Sequence, residues 1–109
     1  MIRYHDEAWS ELIFTHFQYK IERRDAQWVD VMLQVQVAES TPLPDDVVGF
    51  SILAICTHRG DPIQFVTLED DCDSEYQLTE SEQEQLQTYI RSATIQAAII
   101  TAVGDENRR

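Results

Sequence analysis

The clearest hydrophobic pattern in this chain of 109 residues runs from Val29 to Val37, where Val29, Val31, Leu33, Val35 and Val37 alternate with Asp30, Met32, Gln34 and Gln36. A period of two with β-branched residues on one side predicts a long antiparallel strand with one wet face. Phe17, Tyr19 and Ile21 alternate in the same way with Gln18, Lys20 and Glu22. They predict a partner strand over residues 14–21, joined to the first by a polar hairpin turn at residues 22–27. The same region carries a competing period. Trp9, Leu12, Ile13, His16 and Phe17 sit at helical spacing behind Asp6, so a short opening helix within residues 6–17 is the alternative.

Pro42 and Pro44 end the long strand, because each removes a ladder donor and fixes φ. The run Val47, Val48, Phe50, Ile52, Leu53, Ala54, Ile55, Cys56 is almost continuously apolar. That predicts a strand in mid-sheet, covered on both faces. A turn at residues 59–62, with Gly60 free to take positive φ, leads into a shorter strand over residues 63–68. Thr79 followed three residues later by Glu82 is a capping box and predicts a helix start. Leu86, Ile90, Ala93, Ala97 and Ile100 then follow at steps of four, three, four and three, with Gly104 as a stop. The prediction is one helix of over twenty residues with this stripe packed on the sheet. Ile95, Ile99 and Ala102 lie off the stripe, and a homodimer contact would bury them. Residues 105–109 read as a polar tail. The expected fold is a single α+β domain over residues 1–109. It has an antiparallel sheet of about four strands, order β-β-β-β-α, with a long C-terminal helix on one face.

Charge narrows the function classes. Twenty Asp and Glu face eight Lys and Arg, for a formal charge of -12. Direct nucleic-acid binding is disfavoured, since it gains affinity from cations that displace the counterions of phosphate. An anionic membrane is disfavoured for the same reason. A basic protein is the partner such a field attracts. No run of about eighteen apolar residues and no basic start followed by an apolar core occurs, so neither a membrane span nor an export signal is expected. Cys56 and Cys72 are the only cysteines. In a chain that folds without staples they read as free thiols in a reducing cytoplasm.

Motifs of catalysis and metal binding are missing from the sequence. His5, His16 and His58 are scattered, the two cysteines are far apart, and Cys56 with His58 on one strand face would make only half of a site that the local sequence does not complete. No metal site and no cofactor are expected. Three glycines, at 49, 60 and 104, make neither a nucleophile elbow nor a phosphate loop. The tripeptide Arg59-Gly60-Asp61 is accounted for by its turn. Asp71, Asp73, Glu75, Gln77, Thr79 and Glu82 do fall at positions one, three, five, seven, nine and twelve of a calcium loop. Yet Tyr76 stands where that loop needs glycine at its sixth position, and the capping box already explains Glu82.

What is left is electrostatic. Between Gly60 and Ile90 there are nine carboxylates and no lysine or arginine. Glu69, Asp70, Asp71, Asp73, Glu75, Glu80 and Glu84 are the candidate partner-binding residues. Glu80 and Glu84 also offset the helix dipole, so the loop over residues 69–75 most needs a functional explanation. The expected function is a non-catalytic acidic protein that docks a basic protein, as immunity proteins, antidotes and nucleic-acid mimics do. A homodimeric adaptor or secretion-chaperone-like protein is the second reading, and a small enzyme without a recognisable motif is the third.

Overall fold

The computed structural model of the chain describes residues 1–3 and 11–104. Its frame is a five-stranded antiparallel sheet in the order β2-β3-β4-β5-β6, built from Phe14–Arg23, Trp28–Val37, Phe50–Thr57, Pro62–Glu69 and Cys72–Asp73. A separate short ladder pairs β1 (Ile2–Arg3) with β7 (Tyr76–Gln77). Among the described residues two helices follow the strands, α1 (Glu80–Ile90) and α2 (Ala93–Val103). The strands predicted from alternation are all present, and β4 is the middle strand of the sheet.

Register explains the alternation. Val29, Val31 and Leu33 of β3 stand opposite Cys56, Ala54 and Ile52 of β4, and all six are fully buried. They form one cluster with Leu86, Ile90, Ile95, Ile99 and Val103 of the helices. The opposite sheet face, where Met32 pairs with Leu53 and Leu53 with Val66, is only half-buried. The cover expected on both faces of β4 is therefore complete on one. Of the opening segment, Phe14 onward is strand and residues 11–13 are irregular. The rest of the helix alternative for residues 6–17, and the polar tail at 105–109, lie outside the described residues.

The long terminal helix is two helices. Arg91 closes α1, and Ser92 turns extended at ψ 154° before α2 begins. The side chain of Gln96 stitches the joint: its Nε2 donates to the Ile90 carbonyl at 2.8 Å and to the Gly60 carbonyl at 3.1 Å. This satisfies an end carbonyl of α1 and ties the joint to the β4–β5 turn. The break moves the inward positions two to three residues along the chain, so the buried stripe runs Leu86, Ile90, Ile95, Ile99, Val103. Ala93 and Ala97 are exposed and Ile100 is 63% exposed. Ile95 and Ile99, expected at a dimer contact, are thus 0% and 1% exposed inside the chain's own core, and Ala102 is half-buried. Each isoleucine brings about three more carbons into the core than an alanine, or roughly 2 kcal/mol per exchanged position.

Candidate functional site

β5 and β6 form a hairpin whose loop is Asp70 and Asp71, flanked by the pairs Glu69–Cys72 and Leu68–Asp73. Both loop residues have positive φ, 51° and 66°. A two-residue hairpin loop with left-handed backbone at both positions matches the twist of its strands, and Asp tolerates it better than most side chains. The backbone amide of Asp70 donates to the carbonyl of Gly49 at 3.0 Å. Gly49 itself sits at φ +62°, and a Cβ there would run into the Asp70 carboxylate. Only glycine lets this loop approach so closely.

The residues around the turn are bound to it through specific bonds. Ser74 Oγ donates to Glu69 at 2.6 Å, and the amide of Val48 donates to the same carboxylate at 3.4 Å. Tyr76 OH donates to Asp46 at 2.8 Å. Asp46 thereby joins Asp70, Asp71, Asp73 and Glu75 at one end of the sheet. In sequence Asp46 sits in the loop behind Pro42 and Pro44, and only the Gly49–Asp70 and Asp46–Tyr76 contacts bring that loop to the hairpin. Val48 projects from the same place, 61% exposed.

The other predicted acids divide. Glu80 and Glu84 are exposed on α1, but Glu84 lies with Ser81, Gln85, Thr88, Phe14 and Phe17 along the flank of β2, at the other side of the sheet from the hairpin. Glu82, at the twelfth position of the calcium-loop alignment, is fully buried. It accepts from the Met1 ammonium at 2.6 Å, from the Leu12 amide at 2.7 Å and from the Thr79 amide at 2.8 Å. The Thr79 hydroxyl accepts in return from the Glu82 amide at 3.2 Å. The capping box is formed, and its carboxylate is spent on holding two distant segments to the helix start. With Asp71 in a hairpin turn and Glu82 so engaged, residues 71–82 do not wrap a common centre. No group of three or more potential metal ligands comes together among the described residues.

The opposite end of the sheet carries cations. Arg23 and Arg24 border the β2–β3 turn, Arg59 lies in the β4–β5 turn and Arg91 at the helix joint. His58 Nε2 lies 2.9 Å from the Asp25 carbonyl, which brings the two turns together. Acids here are engaged. Asp30 pairs with Arg24 at 2.8 Å and Asp61 with Arg91 at 3.7 Å. Asp25 accepts from the Gln27 and Trp28 amides, each at 2.8 Å, and these bonds pull its carboxyl below the usual carboxylate range.

The protein-family models, the curated proteins and the solved structures hold no match for this chain. A groove of about 460 Å³ is lined by His16, Phe17, Gln18, Gln34, Val35, Gln36 and Phe50, and His16 is its one titratable group. A second, of about 330 Å³, runs along β5 with Asp73 and Tyr76 in its wall. Cys56 is buried, with its thiol pushed up to about 11 by desolvation, whereas Cys72 is exposed. No helix of the described residues is long and apolar enough to cross a membrane.

Proposed function

We propose that this chain is a non-catalytic binding protein that uses the acidic end of its sheet to dock a basic surface on a protein partner, as an immunity protein, antidote or nucleic-acid mimic does. One observation carries the reading. Asp70, Asp71 and Asp73 are exposed and form no ion pair among the described residues, while Asp30 and Asp61 at the other end each have an arginine. Carboxylates left to solvent on a turn held rigidly by Gly49 cost little to pair with an incoming cation, because the turn is already ordered. Val48 supplies an apolar point among them, the composition of a small interface with a polar rim. A cytoplasmic location suits the exposed Cys72 thiol.

Capture of a partner from host extract at low and high salt tests this. Capture should fall steeply with salt, and Asp70→Asn, Asp71→Asn and Asp73→Asn together should weaken it at least about tenfold, or about 1.4 kcal/mol. Asparagine accepts the left-handed backbone of the turn, so the hairpin survives and charge alone is removed. Capture that ignores both salt and the triple substitution would refute the reading.

A further inference from the structure

β2 is an edge strand ten residues long, and nothing among the described residues pairs with its outer side. An unpaired row of amides and carbonyls of that length is a template for another strand. The grooves beside it are built for side chains. Phe14, Phe17, Ser81, Glu84, Gln85 and Thr88 line one of about 410 Å³, on the side of α1. Gln18, Tyr19, Lys20, Met32 and Gln34 line another of about 280 Å³. Phe17 is fixed for contact by stacking on Tyr89 at 4.0 Å, and Tyr19 is 45% exposed.

We infer that the occupant of this edge is β2 of a second copy, paired antiparallel about a two-fold axis at Tyr19. Charge decides for the copy. The strand begins beside Glu84 of α1 and ends at Arg23, so antiparallel pairing lays the start of each strand, with Glu84 beside it, along the Arg23 end of the other. Centred on Tyr19, the register sets His16 opposite the partner's Glu22, Gln18 opposite the partner's Lys20 and Phe17 opposite the partner's Ile21. Like faces meet like faces, as residue pairs across an antiparallel ladder require. The exposed Lys20–Glu22 pair within one chain, 3.1 Å apart, is given up at little cost.

The arrangement also resolves the repulsion between two chains of charge -12. β6 is the far edge of the sheet from β2. In a ten-stranded dimer the two acidic hairpins stand about 40 Å apart at about 4.8 Å per strand, several times the Debye length of about 8 Å. The dimer then presents two acidic ends facing away from each other.

Sedimentation of the full chain over a wide concentration range tests the inference. The wild type should self-associate, and Tyr19→Lys, which opposes two ammonium groups on the axis, should raise the dimer dissociation constant at least about tenfold. In a Cys72→Ser background, Tyr19→Cys should oxidise to a single disulfide-linked dimer, because directly opposed strand residues lie within disulfide reach. A monomer at every concentration overturns the proposal. So does a dimer that Tyr19→Lys leaves unchanged, or a Tyr19→Cys chain that stays uncrosslinked while the wild type is dimeric. The crosslink keeps the test decisive should the lysine variant fail to fold.

Discussion

The two ends of the sheet are both made of turns rich in charge, and they treat it in opposite ways. At the cationic end Asp25, Asp30 and Asp61 are tied to amides or arginines of their own chain. At the acidic end the backbone is what is tied down, through the Asp70 amide on Gly49, while Asp70, Asp71 and Asp73 stay exposed and outside any ion pair among the described residues. Yet the acidic end also holds the one wholly internal acid among the described residues, Glu82. An acid's place in a charged region therefore says little about its role; what its oxygens accept from decides that.

Separating those roles gives the largest expected effect. Glu82→Gln should destabilise the fold by about 3 kcal/mol in urea unfolding, since it removes a buried charge from the Met1 ammonium and the Leu12 and Thr79 amides. A loss below about 1 kcal/mol would mean that Glu82 is interchangeable with its exposed neighbours. Gly49→Ala should cost about 2 kcal/mol, combining a positive φ with collision against Asp70. If it also weakens partner capture while the fold holds, the rigid turn and not charge alone carries recognition.

The contrast between the ends predicts a third result. Replacing Arg24, Arg59 and Arg91 together with glutamine should change capture by less than about twofold, against at least about tenfold for the asparagine triple on the hairpin. Equal losses would break the distinction between the ends. The smallest effect is a gain: Asp71→Gly, placing glycine where φ is 66°, should stabilise the hairpin by about 0.5 kcal/mol in thermal unfolding.

Much of this surface was legible before the fold was known, and unevenly so. Alternation in residues 29–37 located β3, the apolar run located β4 in mid-sheet, and Thr79 with Glu82 located the start of α1, because each signal is a spacing within one element. The acidic hairpin was visible as composition. Its partners Asp46, Val48 and Gly49 were not, since they reach it from over twenty residues away through bonds to Tyr76, Glu69 and Asp70. Glu84 was grouped with the hairpin by proximity in sequence and is set on the flank of β2 by the course of α1.

The helix shows where local pattern stops deciding. Residues 86–100 fit one continuous helix with Ala93, Ala97 and Ile100 inside, and nothing as strong as glycine or proline marks the joint. The tertiary structure breaks the helix at Ser92 because Gln96 can cap the exposed carbonyl of Ile90 and because Ile95 and Ile99 fill the core better than two alanines. Pattern along the chain determines which segments are strand or helix, since that depends on neighbours a few residues apart. Which face of a helix goes inward, and which carboxylates stay in water, depends on groups that meet only when the sheet and helices close on each other.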